Sequence, residues 1–292
     1  MSPKSTSKVR STVSRYGRRA GLAIVVLWSV FPIYWALNTS FMTTAEAQHF
    51  PARWIPSPFT GANYSALLGG GSVSNGQQAT SGFWQAMINT LVQASAATLL
   101  VVLLAIMAAY ALTRLSFAGK RIIFFVVLAT LAIPVYGILI PLYRLMSNLG
   151  LTGSDAAIVL VDIAAFLPLA LWLLHSYFES IPVSLEEAAF VDGATPFSAL
   201  WRVVVPVAMP GIVSAAVIVF LLAWGNFMFP LVLSSSGATE PLTVWVSSLE
   251  GRHVLPYTLL NGGGVLAIAV PLIIVAFMSR RIVAGLLAGS HR

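Results

Sequence analysis

Six apolar stretches, each about as long as a lipid bilayer is thick, constrain this chain more than any other feature. A helix rises about 1.5 Å per residue and the hydrocarbon core spans about 30 Å, so a crossing needs roughly 20 apolar residues. Residues 20–40, 84–113, 122–143, 156–178, 210–233 and 259–279 meet that length. Away from water, each backbone amide must find a partner inside the protein, and a helix supplies one within a single segment. The sequence therefore predicts an all-α polytopic membrane protein with six transmembrane helices. Charged residues make up 9% of the chain, where a soluble domain carries about 25%. The apolar runs are not the core of a water-soluble fold.

Basic residues set the expected orientation. Lys4, Lys8, Arg10, Arg15, Arg18 and Arg19 precede the first span, while Arg114, Lys120 and Arg121 lie between the second and third. Arg202 lies between the fourth and fifth, and Arg280, Arg281 and Arg292 follow the sixth. Arg53, Arg144 and Arg252 fall on the other side. The positive-inside rule then puts both termini in the cytoplasm, N-in and C-in. The net charge of +7 is a topology signal and calls for no nucleic acid. Residues 1–19 read as a cytoplasmic basic tail and 20–292 as the transmembrane domain, with an outer loop at 42–83 and a cytoplasmic connection at 179–209. Residues 69–82 (GGGSVSNGQQATSG) are polar and turn-rich, a loop. The first apolar run exceeds the roughly 7–15 residues of a signal-peptide core and lacks a small-x-small site directly after it. It reads as a retained helix, kinked at Pro32. Absent cysteine excludes disulfides, thiolate ligands and a cysteine nucleophile.

The connection at 179–209 carries unusually strong local signals. Ser184 and Glu187 have capping-box spacing, the serine oxygen set to accept from the Glu187 amide while the glutamate reaches back. Pro182 stops the preceding helix, so a new one is expected from about Leu185. Asp192-Gly193 marks a turn, with Gly193 suited to a left-handed conformation. Thr195 as N-cap and Pro196 as first helical residue start a second helix. The apolar side includes Leu185, Ala188, Ala189, Phe197, Leu200 and Trp201. A partner surface would cover it, with Glu187 set to pair with a partner arginine. A re-entrant hairpin serving stability alone is the plainer reading of these local features.

The spacing E-A-A-x-x-D-G-A, then Val203 and Pro206, resembles the coupling motif of bacterial ABC-importer permeases. Further matches narrow the likeness to the carbohydrate-uptake, maltose-permease-like group and cover nearly the whole chain. They are Phe50-Pro51, Trp54, Pro56 and Asn63-Tyr64, then Tyr110-Ala111-Leu112, Arg114, Phe117 and Gly119-Lys120. Ile140-Pro141-Leu142-Tyr143, Leu149-Gly150-Leu151-Thr152, and Trp224, Asn226, Phe227 with Pro230-Leu231-Val232 complete them. Departures are Val203 and Val205 in place of the motif's usual aliphatics, and Met42 where a lysine is common. The resemblance implies that Glu186, Glu187, Ala188, Ala189, Asp192, Gly193, Ala194 and Pro206 couple to an ATPase. It also implies a second six-span permease, two ATPase subunits and an extracytoplasmic solute-binding protein. Such a complex sits in a prokaryotic cell membrane and moves a carbohydrate by alternating access. No P-loop occurs: Gly119-Lys120 is followed by Arg121. ATP and magnesium are therefore expected on the partner ATPase, with no cofactor or metal on this chain and no catalysis by it.

A sugar path needs hydrogen-bonding groups and aromatic faces. The spans offer Asn38, Asn89, Gln93, Trp172, Trp224 and Asn226, together with Asp162, the one acidic residue inside a span. Asn89, Gln93, Asp162, Trp224 and Asn226 are the candidate translocation residues. Asn226 reads equally as an interhelical clip, Trp224 as a packing residue, and Asp162 as a structural hydrogen-bond partner. Asn89 and Gln93 share a helix face, expected to turn towards protein. Pro134, Pro141, Pro168 and Pro230 are expected kinks. An ion-coupled secondary transporter is the main alternative, but Asp162 stands alone and no internal repeat is evident. An intramembrane enzyme would need a catalytic or metal cluster, and His49, His175, His253 and His291 have no ligand-like spacing.

Overall fold

The computed structural model of the chain describes residues 6–69, 82–235, 238–251 and 257–288. Most of the glycine-rich loop, together with Lys4, Arg252, His253, His291 and Arg292, lies outside the described residues. Every regular element among the described residues is helical. Among the described residues, five helices are long and apolar enough to cross a membrane, and a further apolar segment is a bent pair. The chain divides into two compact units, residues 1–81 with 252–266, and residues 82–251 with 267–292.

In the first unit, α1 (Thr6–Ser40) is followed by short α2 (Thr44–Ala47) and α3 (Ala62–Leu67). Asn63 organises their junction. Its Nδ2 donates to the carbonyls of Ser40 and Met42 at 2.9 and 3.0 Å, and its Oδ1 accepts from Thr258 at 3.3 Å. Asn261 donates to Thr39 Oγ1 at 2.6 Å, and Asn38 to the Arg53 carbonyl at 3.2 Å. Asn38 thus anchors the loop after α1.

The second unit is built on α4 (Phe83–Arg114), α7 (Asp155–Glu179) and α10 (Val205–Trp224). Between α4 and α7 the chain forms α5 (Lys120–Ala129) and α6 (Val135–Asn148), and between α7 and α10 it forms α8 (Ser184–Val191) and α9 (Pro196–Ala199). Beyond α10 come α11 (Met228–Leu233), α12 (Leu242–Gly251) and α13 (Tyr257–Ala288), the last running through both units. Ala97, Ala105, Ala109, Ala170, Ala208 and Ala215 are fully buried. Small side chains let helix backbones approach closely, which favours association where lipid removes the hydrophobic drive. Val101, Leu174, Phe178 and Val219 fill the space between them.

Four of the expected spans coincide with α1, α4, α7 and α13 to within a residue or two, or lie inside them. Two do not. The stretch 122–143 is not one kinked helix: α5 passes through a 3₁₀ turn at Thr130–Ala132, and α6 leaves at 107°. Proline disfavours a helical conformation in the residue before it. Ile133 (ψ 123°) and Pro134 (ψ 125°) are both extended, so the helix breaks there. The fifth span is shifted from 210–233 to Pro196–Trp224. Gly225 ends it, Asn226 and Phe227 are non-helical, and Pro230 falls in the separate short helix α11.

Candidate functional site

The sequence from Pro182 to Pro206 folds as two short helices joined by a glycine turn. The expected capping box does not form. Val183 is already helical (φ −64°, ψ −28°), and its carbonyl accepts the Glu186 and Glu187 amides at 2.9 and 3.1 Å. The proline starts the turn early, which leaves Ser184 inside the first turn with no capping bond. The far end follows expectation. Gly193 has φ +85°, its amide bonds to the Phe190 carbonyl at 3.0 Å, and the Ala194 amide bonds to Ala189 at 2.9 Å. These two bonds are a Schellman closure. Thr195 Oγ1 then accepts the Ser198 amide at 3.3 Å and Pro196 opens α9. A π-helical turn, Leu200–Val204, joins α9 to α10, with Pro206 exposed just beyond.

The two adjacent glutamates point in opposite ways. Glu187 is exposed, whereas Glu186 is 2% exposed and receives a hydrogen bond from Arg114 Nε. Arg114 Nη2 also donates to the carbonyls of Phe178 and Ile181 at 3.1 and 2.9 Å. Tyr110, one turn earlier on α4 and buried, lies close to the same carboxylate. A buried charge needs both a counter-charge and hydrogen bonds to be tolerated, and both are present. Ala188, Asp192 and Gly193 are exposed, and Ala189 and Ala194 are half-buried. Of the expected apolar side, Leu200 is buried in the helical core, while Leu185 and Phe197 remain exposed beside Val191. This knob therefore has an inner edge fixed to the spans and an outer face with apolar groups left open.

The candidate path residues separate into two groups. Asn89 and Gln93, both buried on α4, hold residues 238–240. Asn89 Nδ2 donates to the carbonyls of Ala238 and Glu240, each at 3.0 Å. Gln93 Nε2 reaches Asp155 Oδ1 at 2.7 Å and the Thr239 carbonyl at 2.9 Å. Their shared face turns towards protein, as expected. Between them, Thr90 Oγ1 accepts the Leu242 amide at 2.7 Å.

The second group joins Asp162 on α7 to Asn226 after α10. Asn226 Nδ2 donates to Asp162 Oδ1 at 2.6 Å, and the carboxylate residue is 1% exposed. Asn226 also borders a cavity of about 640 Å³, with Thr130, Ile133, Phe166, Leu222 and Phe227 among its walls. Ile133 before the break at Pro134 and Ile138 and Leu142 after it line the cavity on its α5–α6 side. Trp224 is buried, stacks on Phe220 and donates Nε1 to the Ala267 carbonyl at 3.2 Å. Trp172 is exposed on α7.

Sequence reasoning did not single out Arg114 as Glu186's partner. Seventy-two positions separate them, and no local spacing links the end of one span to the start of a distant connection. A lone arginine closing an apolar helix was the available signal.

The profile of the family described as binding-protein-dependent transport system inner membrane component matches residues 101–288. The sulfoquinovosyl glycerol transport system permease protein of Agrobacterium fabrum is 33% identical over 267 residues, covering 91% of this chain and 90% of its own. The trehalose transport system permease protein of Mycobacterium tuberculosis is 33% identical over 269 residues, covering 91% and 94%. Among solved structures, a chain of a bacterial ABC transporter involved in import of the acidic polysaccharide alginate has the same fold. The TM-score is 0.78 at 23% identity, over 96% of this chain and 99% of that one. The chain accordingly belongs to the family of binding-protein-dependent transport inner membrane components, as an integral membrane permease of the ABC-importer type.

Proposed function

We propose that this chain is one permease subunit of an ATP-driven carbohydrate importer in a prokaryotic inner membrane. It crosses six times with both termini in the cytoplasm, the bent α5–α6 pair serving as the third crossing. A second permease completes the pore, two ATPase subunits bind ATP and magnesium on the cytoplasmic side, and an extracytoplasmic binding protein delivers cargo. The relatives named for sulfoquinovosyl glycerol and trehalose support a sugar or sugar derivative as that cargo.

The observation that carries this reading is the knob. It exposes Glu187, Ala188, Asp192, Gly193, Val191 and Phe197 on one protrusion, tightly closed by its glycine and threonine caps. A surface that transmits a rigid-body motion must be stiff and must present groups for docking. Of the five candidate translocation residues, Asn226 is the one supported as part of the path, since it borders the cavity while holding Asp162. The amides of Asn89 and Gln93 are engaged by the chain's own backbone. For an ion-coupled secondary transporter, Asp162 would be the natural ion-binding carboxylate. Its tie to Asn226 and the family membership favour the ATP-driven reading.

The natural absence of cysteine makes a direct test available. Val191→Cys, introduced alone, is expected to cross-link to the ATPase subunit in the assembled complex. Uptake is expected to stop when that ATPase is inactivated. A knob that cross-links to no ATPase, or uptake that persists without ATP and collapses with the ion gradient, overturns the assignment.

A further inference from the structure

We infer that Arg114 is a positioning residue for energy coupling, and that the tandem glutamates divide the work. Glu186 locks the knob to the membrane helices, while Glu187 is left for the partner. This rests on the importer reading above and goes beyond it by naming the joint through which motion passes.

The geometry is that of a three-way joint. The Arg114 side chain is 10% exposed at the end of α4. Its guanidinium engages Glu186 at the start of α8 and the carbonyls of Phe178 and Ile181 at the end of α7. Those carbonyls lie where α7 gives out: Phe178's also accepts the Ile181 amide at 3.1 Å, and Ile181's, beyond the last helical residue, gains from the arginine a donor that the helix does not supply. Tyr110, one turn before Arg114 on α4, lies close to the same carboxylate. Covalently, the knob meets α7 only through residues 180–183, a short linker containing Pro182. On its other side α9 runs through the π turn into α10, with Leu200 and Val204 in the core. Neither of these connections ties α8 to α4; the Arg114–Glu186 pair does, and it joins the knob to α4 as well as α7.

The choice of arginine follows. A planar fork with several fixed donors can satisfy a carboxylate and two carbonyls together, while a lysine ammonium has no such fixed geometry. The arrangement also explains how two neighbouring glutamates serve different ends. The turn begun at Pro182 places position 186 on the α8 face against the spans and position 187 on the open face.

The test uses the full complex with this chain's Ser184→Cys and Leu99→Cys spin-labelled, and distances measured by pulsed electron resonance. Both positions are exposed, and neither is among the groups offered for docking. Measurements are taken without nucleotide and after trapping with ATP, magnesium and vanadate. With Arg114 and Glu186 intact, one narrow knob-to-α4 distance is expected, unchanged by trapping. In the R114M/E186L pair, which removes both charges and keeps apolar bulk, the distribution is expected to broaden and shift on trapping. R114K is expected to fall between them. Stimulation of ATPase activity by the loaded binding protein should drop about 2- to 30-fold, the range in which mutations along a coupling route act. A role in stability alone would lower complex yield and melting temperature yet leave the distance in assembled complexes narrow and unmoved. That result, or stimulation equal to the parent in R114M/E186L, overturns the inference while the importer reading stands. A parent chain that binds no ATPase overturns both.

Discussion

A methyl group on Gly211 would lie 2.5 Å from the Tyr177 ring. α7 and α10 therefore meet at a point where only glycine fits. Tyr177 itself is one residue from Phe178, whose carbonyl Arg114 engages. The contact fixes the spacing of the two helices that enter and leave the knob.

Gly211→Ala is expected to destabilise the protein by about 1–3 kcal/mol, the usual range for overpacking a tight core. Tyr177→Ala in the same chain should recover much of the loss by removing the ring. Thermal unfolding of the detergent-solubilised complex, for both single variants and the double, checks this. Additive effects would show that the two residues do not share a contact.

Asn226→Leu is expected to be more damaging than Asp162→Asn. The first leaves a carboxylate at 1% exposure without its amide donor, whereas the second keeps shape and hydrogen-bonding capacity. The interhelical bond itself is worth roughly 0.6–2 kcal/mol, and a buried carboxyl oxygen left without its donor adds a desolvation cost of about 1–3 kcal/mol. Comparing melting temperatures of the two variants tests the order.

Gly193→Ala forces a side chain into φ +85°, at a cost of roughly 1–2 kcal/mol. Space is not the obstacle, since nothing lies within 4 Å of the added carbon. Gly193→Asn should therefore retain more function than Gly193→Ala, because asparagine tolerates this conformation better. Uptake rates in whole cells, normalised to membrane protein level, discriminate between them.

Thr90→Val removes the acceptor of the Leu242 amide and leaves the helix otherwise intact. Faster hydrogen exchange at Leu242 is expected, with Arg114 and the knob unaffected. Gln93→Leu should extend the effect to residues 238–240, since it frees the Thr239 carbonyl and Asp155 together. Exchange confined to the background rate would mean the loop is held by other contacts.

Much of this protein was written in local chemistry. Apolar length alone located α1, α4, α7 and α13, because a helix is the single-segment solution to an environment without water. Gly193 and the Thr195-Pro196 pair declared the knob's turn and second helix through backbone preferences that act over a few residues. Ser184 failed as a cap because a neighbouring proline turned the chain first, and two such signals cannot be ranked by pattern alone. The break at Pro134 lies at the same limit: proline announces a disturbance, but packing decides between a kink and a bend of 107°. What the tertiary structure alone decided is which distant groups meet. Hydropathy could place Arg114, Glu186, Asp162 and Asn226 along the chain, but their pairing depends on how α4, α7 and α10 cross. That crossing is set by interlocking side-chain shapes summed over many residues, and it assigned Glu186 to the interior and Glu187 to the open face.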